Sequence, residues 1–316
     1  MRQVFMSDMV LPRPVARLKL EWKTLGLIVG QWLAFALLIF YWRELGWWIV
    51  APLGAFLVCL HGSLQHEVLH GHPTSSKIVN EALVFPPIGL WFPYRRYRAL
   101  HLKHHDNDHL TDPAVDPESY YMDPQAWSGT PRWLRLLYSA NNAMLGRFVL
   151  GPAIATSRLV AAEARRMAEG DREVIFAWAL HGLGGLLVWL WVSVVSGMPF
   201  WQYVMFVAYW GNSLTMMRSY AEHRAHEQDG CRTIVVETHP VVGFMYLNNN
   251  LHMAHHERPG IPWYELPAYY RANKQRLLKE NCAYLMRGYG EIARRWAFRP
   301  KEPVAHPLPE SLKRGG

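Results

Sequence analysis

Cysteine is scarce in this chain of 316 residues, with single residues at positions 59, 231 and 282. Because none belongs to a C-x-x-C pair, the sequence predicts neither a disulfide framework nor a cysteine-ligated zinc or iron site. The sequence also lacks a G-x-G-x-x-G dinucleotide fingerprint and the His-Pro-Gly-Gly of a cytochrome b5-like haem segment. Any redox reaction would therefore need electrons from a separate protein.

Charge is also limited, since only 18% of the residues are Asp, Glu, Lys or Arg. The net charge of +8 could suit nucleic acid, but the basic residues are scattered through amphipathic sequence that contains 15 tryptophans. Tryptophan is enriched at membrane–water interfaces, and scattered basic residues suit an anionic lipid surface. We therefore expect a membrane partner and no nucleic acid.

Long apolar stretches recur and are separated by short turns. An uncharged run of about 18 residues is long enough to span a bilayer as a helix. The sequence therefore predicts an all-α integral membrane protein with four transmembrane helices in two hairpins, together with re-entrant or interfacial helices and a cytosolic helical cap. The predicted spans are residues 25–42, 47–65, 174–195 and 200–217. Residues 82–94 are too short and too rich in proline to span, and we expect them to be re-entrant or interfacial.

Basic residues before the first apolar run predict the side of the membrane on which the chain starts. Arg13, Arg17, Lys19 and Lys23 precede that run, so a cleavable signal peptide is not expected and the N-terminus is assigned to the cytosol. Four spans then return both termini and the segments after each hairpin to the cytosolic side. The basic stretch 1–24 is interpreted as a cytosolic lead-in and residues 261–316 as a cytosolic tail.

Histidine is concentrated in three clusters that follow the predicted spans. On a helix, positions i, i+3 and i+4 share one face, so each H-x-x-H-H motif presents three imidazoles together. Neutral imidazole is a common ligand for iron, zinc and copper. Eight such nitrogens exceed one tetrahedral site, so two metal ions are the simplest interpretation. The clustered residues are His66, His70, His101, His104, His105, His252, His255 and His256.

Several neighbours are further candidates. His72 lies on another face of a continuous helix but Gly71 could bend it back, and Asn248 and Asn249 lie one turn before His252. The acidic loop 106–118 is either a solvated turn or a source of carboxylates for histidine N–H groups. His61 is expected to be a structural residue or to contact a metal ligand rather than a metal ion.

These motifs resemble those of the membrane fatty-acid desaturase and hydroxylase superfamily over residues 25–260. The resemblance rests on His66-x3-His70, the two H-x-x-H-H motifs and Glu222-His223 after the fourth span. It implies nine histidine ligands, with His223 as the ninth, for two iron ions. It also implies dioxygen as co-substrate, a lipid or fatty acyl substrate and an external ferredoxin, rubredoxin or cytochrome b5-type donor. Desaturation is the first expectation; hydroxylation, ketolation and oxidative decarboxylation use the same site.

Two other interpretations remain open. His66-Glu67-x-x-His70 fits the H-E-x-x-H motif of a zinc hydrolase, with Glu67 as general base, although this leaves both H-x-x-H-H motifs unexplained. A metal carrier or sensor is a non-enzymatic alternative, but the predicted spans have few polar residues. A basic cytosolic surface that includes Arg96 could bind an acidic electron carrier.

Overall fold

Helices form most of the backbone in the computed structural model, which describes residues 20–308. Apart from two short strands, the described chain consists of helices and connecting segments, so the predicted all-α class is confirmed in outline. The stretch 1–24 lies mostly outside the described residues. In chain order the helices are α1 (Trp22–Phe40), α2 (Trp42–Leu45), α3 (Trp47–Leu69), α4 (Lys77–Leu83), α5 (Tyr94–His105), α6 (Pro124–Ser128), α7 (Arg132–Asn141), α8 (Met144–Ala168), α9 (Arg172–Trp189), α10 (Phe200–Tyr203), α11 (Tyr209–Glu222), α12 (Pro240–Met245), α13 (His252–Glu257), α14 (Leu266–Glu280) and α15 (Tyr289–Trp296).

Three helical stretches of the described chain are long and apolar enough to cross a membrane. They are α1, α3 and Arg172–Val195, in which α9 continues into a π-helical turn. Their outward faces carry apolar side chains such as Leu33, Leu37, Leu183 and Leu186, all of them exposed. Exposed leucines on such helices are expected where lipid is the solvent.

The fourth predicted span is also helical. Helix α10 continues through a π-helical segment, Val204–Ala208, directly into α11. This stretch contains Gln202, Asn212, Ser213 and Thr215, so it is less apolar than the other three. A fourth crossing remains a prediction.

The turns of the two helical hairpins lie side by side. Trp42 donates from Nε1 to the carbonyl oxygen of Ser196 (3.0 Å), and the Arg43 guanidinium donates to that of Gly197 (3.2 Å). Gly197 has φ +63°, a conformation that favours glycine. Because α3 rises about 1.5 Å per residue, these turns lie roughly 30 Å from its histidine end. The turns of both hairpins therefore lie at the same end of the protein, opposite the histidine end of α3.

The proline-rich segment between α4 and α5 has no regular structure and is buried or half-buried among helices. The carbonyl of Ile88 accepts a hydrogen bond from Tyr203 Oη (2.5 Å), and that of Gly89 accepts one from Asn212 Nδ2 (2.8 Å). Ile88 itself is fully buried. Irregular backbone in an apolar environment requires such partners, which the protein supplies here.

The C-terminal third folds against the histidine-bearing ends of the helices. Strands β1 (Val235–Val236) and β2 (Leu285–Met286) pair in parallel, with Val235 opposite Leu285. Cys231 and Cys282 form a disulfide across a separation of 51 residues. The prediction that the chain has no disulfide was therefore wrong, because it considered local cysteine spacing and this pair is joined only by the tertiary fold.

Candidate metal centre

The first histidine motif lies at the end of α3. His66 is on its last turn and His70 is its C-terminal cap, with ring centroids 4.8 Å apart. Because the two residues are four apart, their side chains project from the same face. His101, on α5, packs beside both rings, with centroids 4.6 Å from His66 and 5.2 Å from His70.

Each H-x-x-H-H motif divides its histidines between two groups. On α5 the i, i+4 pair His101 and His105 enters one group, and His104 enters the other. On α13 the roles are exchanged: His252 and His256 join His104, whereas His255 joins His101. The sequence predicted that the three imidazoles of each motif share one helix face. It left open how they divide, and in the structure each motif contributes to both groups.

Two groups of buried or half-buried imidazoles result. Within each group the candidate ligand nitrogens all lie within 4.8 Å of one another. His223, which follows α11 directly, joins the second group. The first group is His66, His70, His101, His105 and His255, and the second is His104, His223, His252 and His256.

The Nε2 atoms converge closely in both groups. In the first group, His105 Nε2 lies 3.0 Å from His101 Nε2 and 3.2 Å from His255 Nε2. In the second, His223 Nε2 lies 3.2 Å from His104 Nε2 and 3.0 Å from His252 Nε2. Ligands at right angles around an ion are about 3.0 Å apart when each metal–nitrogen bond is about 2.1 Å, the zinc–imidazole value. The donor sets therefore fit metal ions.

Carboxylates orient the histidines of α5. His104 Nδ1 donates to Asp116 Oδ1 (2.8 Å), and His101 Nδ1 donates to Glu118 Oε1 (2.8 Å). A proton held on Nδ1 leaves Nε2 free to bind a metal, and such partners also fix the ring orientation. The predicted role of the acidic loop as a source of carboxylates for histidine is therefore confirmed for Asp116 and Glu118. Asp112 accepts from the backbone N–H of Ala114 within its own turn.

Burial and mutual repulsion keep most of these imidazoles neutral. Burial, with His101 and His104 nearby, lowers the pKa of His105 to about 3. Burial and neighbouring histidines also hold the pKa of His255 and of His256 well below the ordinary value. His104 differs: burial opposes its charge, but Glu118 and Asp116 raise its pKa to about 9. Neutral rings are the form that binds metal, so most of the site is in that form before an ion arrives, whereas His104 would release a proton on binding one.

Asn249 connects the two groups. Its Oδ1 accepts from His252 Nδ1 (3.1 Å), and its Nδ2 lies 3.4 Å from His66 Nε2. Asn248 points elsewhere and donates to the carbonyl oxygen of Trp263 (2.9 Å). Of the two predicted asparagines, the structure therefore brings only Asn249 to the histidines.

His72 lies apart from both groups, in a cluster with Glu21 and Glu67. Its Nδ1 is 2.6 Å from Glu21 Oε1, and its Nε2 is 3.9 Å from Glu67 Oε1. Glu67 also accepts the backbone N–H of Trp263 (2.9 Å). A general base for a zinc hydrolase would have to face His66 and His70, so this placement of Glu67 counts against that interpretation.

A cavity of about 270 Å³ adjoins the centre. At the end near the histidines it is lined by Tyr97, whose ring centroid is 5.5 Å from that of His101, and by Glu118 and Glu222. A second cavity of about 540 Å³ shares part of this lining, including Leu100 and Leu159. Most of the remaining wall of the first cavity is apolar, with contributions from Val58, Pro87, Leu90, Trp91, Phe92 and Met216.

The sequence predicted that Arg96 belongs to a basic surface, but the structure buries this residue inside the protein. Its side chain is 8% exposed and makes two hydrogen bonds to Glu163, of 2.7 and 3.0 Å. This buried ion pair connects α5 to α8.

Helices that suit a membrane, together with two groups of clustered imidazoles that could hold metal ions, define a histidine-rich class of membrane-associated protein. The family model described as "Fatty acid desaturase" matches residues 45–288, which is most of the chain. The chain therefore belongs to the fatty acid desaturase family, and this membership indicates an oxidoreductase. No curated protein matches the chain.

Proposed function

We propose that this protein oxidises an unactivated C–H bond of a fatty acyl chain at two iron ions, using dioxygen, and that the main outcome is desaturation. The observation that carries the proposal is the convergence of nine imidazoles in two adjacent groups beside an apolar cavity. Amino-acid side chains alone cannot attack such C–H bonds; a redox-active metal and dioxygen supply that chemistry. Zinc, which has no redox chemistry, could not.

The proposed ligands divide as the two groups do. His66, His70, His101, His105 and His255 would hold one iron, and the remaining four histidines would hold the other. All nitrogen donors are imidazoles, which suit iron, and the Nδ1 hydrogen bonds of His101 and His104 fix Nε2 as the metal-binding atom. His72 is not a proposed ligand.

The chain's own residues would position the substrate. The apolar walls of the cavity would hold the acyl chain and exclude water from it. Near the histidines the wall becomes polar: Arg218 Nε lies 2.7 Å from Glu222 Oε1, and both residues line the cavity. This ion pair and Glu118 would limit how far the apolar chain advances.

Electron balance requires a separate donor. Removing two hydrogens from neighbouring carbons and reducing dioxygen to two waters consumes two electrons and two protons from outside. A ferredoxin, rubredoxin or cytochrome b5-type protein would supply the electrons. The basic residues before the first span support placing the termini and the metal centre on the cytosolic side of the membrane.

The test is mass spectrometry of lipids from a host that expresses the protein beside one that expresses His104→Ala. The proposal expects an acyl species lighter by two hydrogens that is absent from the His104→Ala host. A species heavier by one oxygen would replace desaturation with hydroxylation at the same centre. Identical lipids in both hosts, with a competent electron donor co-expressed, would contradict the proposed reaction.

A further inference from the structure

A C-terminal strap, residues 301–306, crosses the protein beside the second histidine group. Its backbone pairs with a distant loop: Met122 N–H donates to the carbonyl of Val304 (2.8 Å), and His306 N–H donates to that of Met122 (2.9 Å). At its start, Lys301 N–H donates to the carbonyl of Asn142 (3.0 Å). The strap is therefore fixed at both ends.

Lys301 caps the end of α11, where His223 leaves the helix. Its Nζ donates to the carbonyl oxygens of Tyr220 (2.9 Å) and His223 (2.7 Å), and lies 3.5 Å from that of Ala221. The last carbonyls of a helix have no partner within the helix, and a cation there also interacts favourably with the helix dipole. The lysine thus fixes the backbone that carries the His223 ring.

Aromatic rings surround Lys301 Nζ and favour its ammonium form, whereas burial lowers the pKa of this lysine to about 7. Nζ lies 5.7 Å from the ring centroid of Tyr120, 5.6 Å from that of Tyr220 and 6.0 Å from that of Tyr284. Tyr120 also donates from Oη to the carbonyl of His223 (3.1 Å). Cation–π contacts at this range favour a bound ammonium.

His306, at the other end of the strap, connects to His104 through two residues. Its Nε2 lies 3.0 Å from Thr111 Oγ1. The backbone N–H of Thr111 donates to Asp116 Oδ2 (2.8 Å), and Asp116 Oδ1 accepts from His104 Nδ1 (2.8 Å). A change at His306 would therefore reach the carboxylate that orients His104.

The contacts of Lys301 lead to His223 and those of His306 lead to His104. These two histidines belong to the same group, and their Nε2 atoms lie 3.2 Å apart. We propose that Lys301 and His306 are positioning residues that hold His223 and His104 in the geometry that binds the second metal ion. The inference rests on the proposed two-metal function. The strap lies beyond residues 45–288, the part of the chain that the family model matches.

The experiment titrates Co²⁺ into metal-free full-length protein in detergent and measures the two dissociation constants. Lys301→Met removes the ammonium but keeps an unbranched side chain among the tyrosines. Loss of a residue that orients a metal ligand typically weakens binding about 10–100-fold. We expect at least a tenfold weakening of one Co²⁺ site in Lys301→Met and an unchanged affinity at the other.

His306→Phe tests the second route. The phenyl ring can keep the packing of His306 against Tyr121, whose ring centroid is 4.8 Å away, but it cannot form the hydrogen bond with Thr111 Oγ1. The same single site should weaken. Lys279→Met, at an exposed lysine on α14, is the matched control and should bind both ions like the wild type. His256→Ala and His70→Ala identify which transition belongs to which group.

The outcomes separate the two proposals. Unchanged Co²⁺ affinity at both sites in Lys301→Met and His306→Phe would overturn the positioning role. Equal weakening of both sites would also overturn it, because a general loss of folding affects both histidine groups alike. Failure of the wild type to bind two Co²⁺ ions would instead overturn the proposed two-metal function on which this role depends.

Discussion

Asn249 lies between the two histidine groups, with one amide atom on each side. Because it contacts both His252 and His66, its truncation should disturb both groups at once. We predict that Asn249→Ala weakens the affinity for both metal ions, by about 10–100-fold, the usual effect of losing a group that orients metal ligands. Metal titration of the purified variant measures the effect.

The neighbouring asparagine provides the control. Asn248 has φ +60° and bonds to Trp263, so Asn248→Gly keeps the left-handed backbone and removes only that hydrogen bond. It should lower the free energy of unfolding by about 1 kcal/mol and leave metal affinity unchanged. Equal metal binding by Asn249→Ala and Asn248→Gly would contradict the role of Asn249.

Residue spacing predicted eight of the nine clustered histidines, because i, i+3 and i+4 positions share a helix face, whereas the ninth, His223, was implied only by the family resemblance. It could not predict that each H-x-x-H-H motif is divided between two groups, since that depends on how α5 and α13 face each other. The spacing also could not predict the position of His72. Gly71, at φ +102°, ends the helical geometry, and His72 pairs with Glu21, 51 residues away.

Helices α3 and α11 pack closely at a glycine. A Cβ at Gly211 would lie 2.4 Å from Val58 Cβ and 2.9 Å from the carbonyl oxygen of Ala55. A backbone atom cannot move aside without moving α3. Helix α3 carries His66 on its last turn and α11 ends directly before His223, so the separation of the two helices affects both histidine groups.

We predict that Gly211→Ala lowers the free energy of unfolding by about 1–3 kcal/mol, the usual cost of overpacking. Chemical denaturation in detergent micelles measures the change. Gly30→Ala on α1 is the control, because a Cβ there meets nothing within 4 Å. The better helix propensity of alanine should leave it equal to the wild type or more stable by up to about 1 kcal/mol. Equal stability of the two variants would argue against close packing at Gly211.

Apolar length predicted the main helices to within a few residues. The first predicted span, 25–42, is helix Trp22–Phe40, and the second, 47–65, lies within Trp47–Leu69. Hydropathy alone does not identify where an apolar helix ends when polar but buried residues continue it. Helix α3 therefore runs on through His66 and Glu67, which pack inside the protein.

At the scale of the whole molecule, the two hairpin turns meet at one end and the histidine groups assemble at the other. This arrangement agrees with the prediction that all three motifs lie on one side, whereas the identity of that side as cytosolic remains a proposal. The strap and the Cys231–Cys282 disulfide were not predictable, because their partners are distant in sequence and have no local pattern.

The metal content of the purified protein tests the central claim most directly. We predict about two iron ions per chain after expression with adequate iron, and fewer in His104→Ala and His70→Ala, each of which removes one proposed ligand from one group. One zinc ion per chain, or a wild-type iron content no higher than that of these variants, would contradict a two-iron centre built from the nine histidines.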